Sequence, residues 1–120
     1  TFRTPFKAAW HPLQGCWGQY CTQITGNYLF HSSPYNSPNK NDLSYRLYNQ
    51  LGTVCSHGCV RLTVADAKWI YDNCPLGTTV SIYNASSLPV PKPSAPWLDI
   101  SSPNRGWDPT DPDPANPWNK

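Results

Sequence analysis

The stretch "SHGCVRL", residues 56–62, sets the interpretation of this sequence because it places a histidine, a glycine, a cysteine and an arginine within five positions. Side chains alternate along an extended segment, so His57, Cys59 and Arg61 share one face. Gly58 lies between the first two and leaves room for another molecule to approach the backbone. This arrangement favours an accessible, reactive thiol at Cys59.

A cysteine reacts as its thiolate, and a neighbouring histidine favours that form. The sequence offers two candidates, His57 within the motif and His31 at the end of the apolar segment "NYLFH". The N–H groups of Gly58 and Cys59 are suited to stabilise the oxyanion that forms when a thiolate attacks a carbonyl. The residues therefore predict a nucleophilic cysteine.

Three further side chains are candidate contacts with a substrate. Arg61 can pair with a substrate carboxylate, although an ion pair with Asp66 is the structural alternative. Ser56, at the start of the motif, can instead brace the turn through its hydroxyl. Tyr35, in "FHSSPY", is the third candidate.

Length and charge exclude several classes of protein. A chain of 120 residues has room for one domain. Its net charge is only +2 and its basic residues are scattered, so we expect no nucleic-acid partner and no membrane-binding patch. No apolar run approaches the roughly 20 residues that span a bilayer, so the sequence predicts no transmembrane segment.

Five cysteines are an odd and unusually rich number for so short a chain, and they indicate an oxidising compartment with two disulfides and one thiol. We predict the bridges Cys16–Cys21, around "WGQY", and Cys55–Cys74, which leaves Cys59 reduced. A reversible Cys55–Cys59 bridge that inactivates the nucleophile is an alternative.

The hydrophobic pattern predicts a mainly β fold with one short helix. Thr63 is a helix N-cap with Asp66 three residues later, which begins the helix. Trp10, Trp17 and Trp69 are expected in the core. The predicted elements are a strand over 27–31, a long surface loop over 32–49, a helix over 64–73 and a strand over 78–83.

Residues 1–88 form the predicted domain, and residues 89–120 form a C-terminal tail that holds nine of the 14 prolines. Proline excludes regular helix and sheet, so an extended linker is expected. The alternative is a tail that packs on the domain or on a partner through Trp97, Trp107 and Trp118. The spacing of the tail aspartates does not match a calcium loop, and we predict no metal.

"SHGCVRL" preceded by "FHSSPY" resembles the L,D-transpeptidase catalytic domain, the YkuD family, over about residues 26–83. The resemblance implies that Cys59 is the nucleophile, that His31 is its general base, and that the Ser32 carbonyl orients His31. It also implies that His57 shapes the site and that Arg61 occupies the arginine position of the motif. The implied fold is a disulfide-stapled, β-sandwich-like set of mixed sheets.

The implied function is peptidoglycan cross-linking by a secreted, cell-wall enzyme that needs no cofactor. The thiolate attacks the L,D peptide bond before the terminal D-alanine of a stem tetrapeptide, and the acyl group passes to a side-chain amine of a neighbouring stem. Carbapenem-type inhibitors are expected partners. The loop of 24 residues between His31 and Ser56 is longer than usual for the family, and the chain begins inside the first strands of the family, which are expected to be missing.

Three alternatives stay open. The enzyme could use water as acceptor and act as an L,D-carboxypeptidase. A non-catalytic secreted module could bind glycan or protein through its six tryptophans and seven tyrosines. Finally, four residues could hold zinc, although a C-x-H-x-C order along a strand fits tetrahedral coordination poorly; these are Cys55, His57, Cys59 and His31.

Overall fold

The computed structural model describes residues 1–13, 15–26, 28–51, 59–82 and 95–119. Within these ranges, no helix has both the length and the apolar character that a bilayer crossing requires.

A four-stranded mixed sheet, in the order β2-β3-β4-β5, forms the centre of the molecule. The first three strands are antiparallel neighbours, whereas β5 runs parallel to β4. The predicted β-rich fold with mixed pairing is confirmed, and the predicted strand over 27–31 corresponds to β4. The strands are β2 (Lys7–Pro12), β3 (Trp17–Thr25), β4 (Tyr28–Ser32) and β5 (Val60–Leu62).

A second, two-stranded sheet joins β1 (Phe2–Arg3) to β6 (Thr79–Val80) in antiparallel pairing. Of the predicted strand over 78–83, only Thr79–Val80 is therefore confirmed. It pairs with the beginning of the chain and not with the central sheet, a long-range pairing that its own alternation pattern could not reveal.

The helix predicted over 64–73 is α2 (Val64–Asn73), and a single turn, α1 (Tyr45–Tyr48), precedes it. The Thr63 side chain caps α2 by accepting from the Asp66 N–H at 3.3 Å, as predicted. The helix buries Val64 and Ala67. Trp69 is 62 % exposed, so the prediction that it lies in the core is wrong; two positions beyond Ala67, it points away from the buried face.

The largest core cluster consists of Tyr35, Leu43, Tyr48, Val64 and Leu98. Three of these residues come from the segment 32–49, so its interpretation as a surface loop is wrong. Tyr35 exchanges two backbone hydrogen bonds of 2.8 Å with Trp17, which fastens the segment to β3. The pairing of Tyr35 with Trp17 holds this segment against the domain and so buries its apolar side chains. Their spacing is too irregular to predict a strand or a long helix from the sequence.

The C-terminal residues 95–119 pack on the domain, so the interpretation of this part as an extended linker is wrong. Leu98 enters the core, and the Trp118 indole N–H donates to the Asn104 carbonyl at 2.9 Å. Trp97, by contrast, is 78 % exposed. The predicted domain boundary at residue 88 lies outside the described residues.

Asx turns replace regular secondary structure in this segment. In each turn, a side-chain oxygen accepts from the N–H two residues later, and each of these residues precedes a proline, which cannot donate. The accepting residues are Asp108, Asp111, Asp113 and Asn116.

The predicted disulfides are not supported, because Cys16, Cys21 and Cys74 are all thiols. Trp17–Thr25 forms β3, so Cys21 lies inside a strand and not at the end of the short loop that the Cys16–Cys21 bridge was predicted to close. Cys74 caps the C-terminal end of α2, about 15 Å of helix from β5. Cys55 lies outside the described residues.

Candidate active site

The parallel pairing of β4 with β5 brings together two parts of the motif that are distant in sequence. His31 on β4 lies opposite Arg61 on β5. Cys59 immediately precedes β5, and in an extended backbone its side chain lies on the same face as that of Arg61. Two short strands therefore carry the predicted base, the predicted nucleophile and a cation to one place on the sheet.

His31 is only 1 % exposed, and its Nδ1 lies 2.5 Å from the main-chain carbonyl oxygen of Ser32. A carbonyl can only accept, so Nδ1 carries the proton and the Nε2 lone pair is available to take another. Burial lowers the pKa of His31 below its ordinary value of 6.5, against the opposing effect of the Ser32 carbonyl; the charge of Arg61 lowers the pKa further. The imidazole is therefore neutral near pH 7 and able to act as a base.

Ser32 is fixed in turn by bonds on both sides. Its hydroxyl oxygen accepts from the Gln19 N–H at 2.9 Å, and the hydroxyl donates to the Ser33 carbonyl at 2.9 Å. The Ser33 N–H then donates to the Leu62 carbonyl of β5. The carbonyl that orients the imidazole is thus held between β3 and β5.

Gly18 on β3 lies directly against the His31 side chain. A Cβ atom at Gly18 would be 2.9 Å from the Cys21 Sγ and 3.1 Å from the His31 Cβ. Only glycine permits this approach. The imidazole position is therefore restricted by contact with Gly18 of β3 as well as by the hydrogen bond to the Ser32 carbonyl.

Two further thiols lie close to the candidate nucleophile. Burial, together with a smaller effect from the proximity of Cys59, raises the pKa of Cys21 to about 12. Burial also raises the pKa of Cys16; the charge of Arg61 opposes this effect, and the proximity of Cys59 adds to it. Both thiols keep their protons near neutral pH, so burial disfavours them as nucleophiles.

The sequence interpretation missed this grouping because it assigned Cys16 and Cys21 to a disulfide. Tyr20, between Gly18 and Cys21, has a φ of 52°, in the left-handed region that is uncommon for a residue other than glycine. This residue breaks the alternation of β3, so that Gly18 and Cys21, three positions apart, border the same space. Residue types alone carry no signal for it.

The Arg61 guanidinium has unmet hydrogen-bonding capacity. Its Nε and Nη1 atoms are buried and have no partner among the described residues. Arg61 and Asp66 form no ion pair, so that structural alternative is not supported. Two buried donors on a positively charged group suit a carboxylate ligand.

Tyr35, a predicted substrate contact, lies in the hydrophobic core. It is fully buried in the core, edge-to-face with Trp10, so its side chain offers no surface to a substrate, and the prediction of a direct contact is not supported. The other motif residues of the prediction lie outside the described residues, and their roles remain predictions; they are Cys55, Ser56, His57 and Gly58.

The described residues contain no group of three or more histidine, cysteine, aspartate or glutamate side chains that could hold a metal ion. Cys55 and His57, two of the four candidate zinc ligands, are not among them.

The sequence profile of the L,D-transpeptidase catalytic domain, YkuD, matches residues 3–82, which is two thirds of the chain. The chain belongs to this family. The match begins at the second residue of β1, contains β2 to β6 and both α-helices, and ends before the C-terminal segment that packs on the core.

Two proteins that are similar to part of this chain are considerably longer than it. The chain is 47 % identical over 57 residues to "Putative L,D-transpeptidase YciB" of Bacillus subtilis (strain 168), a match that covers 48 % of this chain and 28 % of that protein. A solved structure of a fused Zn-dependent amidase/peptidase/peptidoglycan-binding domain-containing protein from Clostridium acetobutylicum ATCC 824 is 38 % identical. That match covers 64 % of this chain and 29 % of the other, with a TM-score of 0.44. The chain therefore spans less than a third of either protein.

Proposed function

We propose that this chain is a peptidoglycan L,D-transpeptidase that uses Cys59 as its nucleophile and acts outside the cell, at the cell wall. The observation that carries the proposal is the buried His31, which is fixed by the Ser32 carbonyl on the strand next to the one that Cys59 precedes. Membership of the L,D-transpeptidase family supports the reaction type.

The first half of the reaction forms a thioester. His31 Nε2 takes the Cys59 proton, and the thiolate attacks the carbonyl carbon of the L,D peptide bond before the terminal D-alanine of a stem tetrapeptide. The backbone N–H groups of Gly58 and Cys59 stabilise the oxyanion. When the C–N bond breaks, the imidazolium returns its proton to the amine of the leaving D-alanine.

The second half transfers the acyl group. A side-chain amine on the third residue of a neighbouring stem attacks the thioester carbonyl and loses a proton to His31, which then reprotonates the departing Cys59 thiolate. The product is a cross-link between the third residues of two stems. Arg61 holds a carboxylate of the stem peptide, since its buried donors are unpartnered among the described residues. If water replaces the amine, the same steps give an L,D-carboxypeptidase.

Intact mass before and after incubation with a carbapenem tests the acyl-donor half. We expect one covalent adduct, which digestion maps to Cys59 and which Cys59→Ala and His31→Ala lack. Cys16→Ser is the matched control, because it removes a neighbouring thiol and leaves the proposed nucleophile in place. An adduct on Cys16, or none on a reduced and folded wild type, would contradict the proposal.

Incubation with disaccharide tetrapeptides tests the second half. A dimer that has lost one D-alanine identifies the transpeptidase. A tripeptide product without dimer identifies the carboxypeptidase, and binding of the glycan with neither product identifies a non-catalytic module.

A further inference from the structure

The C-terminal strap, residues 95–119, contacts two stretches of chain that lead away from the reacting groups. One is the segment that follows His31 and contains Leu43 and α1, and the other is α2, which follows Cys59 and β5. The sheet joins these two stretches on one side through β4 and β5. The strap joins them a second time, outside the sheet.

At α2, the strap accepts hydrogen bonds from two N–H groups of the first helical turn. One carboxylate oxygen of Asp108, Oδ2, accepts from the Val64 N–H at 3.0 Å, and the Thr110 hydroxyl accepts from the Ala65 N–H at 3.0 Å. Thr63 is the single residue between α2 and the end of β5. A shift of the helix start therefore passes directly into the strand that carries Arg61 and begins beside Cys59.

On the histidine side, the strap holds the segment after β4 by its backbone. The Leu43 N–H donates to the Gly106 carbonyl at 2.9 Å. Gly106 lies so close to the Asn41 carbonyl that a Cβ atom would not fit between them. Lys40 and Asp113 add a partly exposed ion pair of 2.7 Å.

The strap also pairs with the end of α1. The Asn49 side chain bonds both backbone groups of Leu98, at 2.8 and 3.0 Å, and the Tyr48 hydroxyl donates to the Pro96 carbonyl at 2.8 Å. The strap is thus fixed by hydrogen bonds at three separate places, in addition to the burial of Leu98.

Asp108 links the start of α2 to the rest of the strap. It is fully buried, and its other oxygen, Oδ1, accepts from both the N–H and the hydroxyl of Thr110. The Asn116 side chain donates to the Asp108 carbonyl at 3.0 Å. A carboxylate is required here, because both of its oxygens accept hydrogen bonds. An amide would place its NH₂ group, which can only donate, against either the Val64 N–H or the donors of Thr110.

We propose that Asp108 is a positioning residue, which acts from the C-terminal strap to hold β5 and Cys59 in register with His31. The inference rests on the proposed function only in naming the reaction that this register serves. The geometric part, that loss of the Asp108 carboxylate loosens Cys59 relative to His31, stands without it.

The test compares variants of the full chain. Asp108→Asn removes one of the two acceptor oxygens. Asp99→Asn is the matched control, since it makes the same change in the same strap at an exposed turn where Oδ1 alone accepts, from Ser101. Thr110→Val removes the acceptor for the Ala65 N–H, and Thr110→Ser retains it, which keeps the test available if Asp108→Asn does not fold.

The first readout is the pH dependence of Cys59 alkylation by iodoacetamide, mapped by digestion, together with hydrogen exchange at the Val64 and Ala65 amides. We expect both amides to lose protection in Asp108→Asn, and its alkylation profile to move from that of the wild type toward that of His31→Gln. Asp99→Asn and Thr110→Ser should overlay the wild type. This readout needs no transpeptidase activity.

The second readout is release of D-alanine from a tetrapeptide stem, expressed per acylable Cys59. We expect kcat to fall about tenfold in Asp108→Asn, with KM within about twofold, because displaced catalytic groups slow chemistry more than they weaken binding. If the wild type releases no D-alanine while the alkylation profiles differ as expected, the proposed function fails and the positioning role stands. An alkylation profile of folded Asp108→Asn identical to that of the wild type, or a Thr110→Val profile identical to that of Thr110→Ser, overturns the positioning role.

Discussion

Replacement of Gly18 by alanine tests whether the position of His31 limits the reaction. The new methyl group would lie 2.9 Å from the Cys21 Sγ, 3.1 Å from the His31 Cβ and 3.2 Å from the His31 Cγ. Carbon atoms in van der Waals contact are about 3.5–4.0 Å apart, so the His31 side chain must retreat by roughly 0.4 Å or more. Because β4 is paired on both edges, the imidazole has to take up much of that movement.

Gly18→Ala should lower both the free energy of unfolding and kcat/KM. Overpacking of this kind costs about 1–3 kcal/mol of unfolding free energy. A displacement of about 1 Å at a catalytic group can reduce the rate by about 100-fold, so a shift of roughly 0.4 Å is expected to reduce kcat/KM by about tenfold. Urea unfolding measures the first effect, and the rate of Cys59 acylation by a carbapenem measures the second.

Two further variants separate the contacts. Gly18→Ala combined with Cys21→Ala removes the 2.9 Å contact and retains those with His31, so we expect no recovery of the acylation rate. Gly77→Ala is the control for destabilisation alone, because its φ of 90° is strained for alanine while no atom lies within 4 Å of the added Cβ. A destabilised Gly18→Ala that is acylated as fast as the wild type would refute the reasoning, as would recovery of the rate in the double variant.

The pH dependence and a buried hydroxyl give two more predictions. Since burial lowers the pKa of His31 and the base must be neutral, kcat/KM should fall on the acid side with a midpoint below pH 6.5, and a midpoint above 6.5 would contradict this. In urea unfolding, Tyr35→Phe should leave the free energy of unfolding unchanged or raise it by up to about 1 kcal/mol, because the buried Tyr35 hydroxyl has no hydrogen-bond partner among the described residues. Tyr48→Phe should lower the free energy of unfolding by about 1 kcal/mol, because it loses the hydrogen bond to the Pro96 carbonyl. Equal losses in the two variants would refute the comparison.

The sequence was informative where the signal was local. The Thr63 cap and the spacing of Val64 and Ala67 predict α2 with its observed bounds, because capping and helical periodicity act within a few residues. "NYLFH" likewise predicts β4, whose last residues carry His31 and Ser32. The motif around Cys59 predicts the family, which the match to residues 3–82 confirms.

What the sequence could not predict depends on partners far along the chain. β3 buries residues on both of its faces, including the polar Gln19 and Thr22, so the alternation that normally marks a strand is absent. The bonds that attach Asp108 and Asn49 to the rest of the molecule span 44 and 49 residues. No periodicity within a proline-rich segment reveals such partners.

The burial of Leu98 among Tyr35, Leu43, Tyr48 and Val64 has a consequence for how this fold is divided. The family profile ends at residue 82, but the hydrophobic core continues beyond it. A chain cut at that point would expose the apolar surfaces that Leu98 covers and would leave the Val64 N–H without its acceptor. The hydrophobic core of this chain therefore includes a residue that lies beyond the part matched by the family profile.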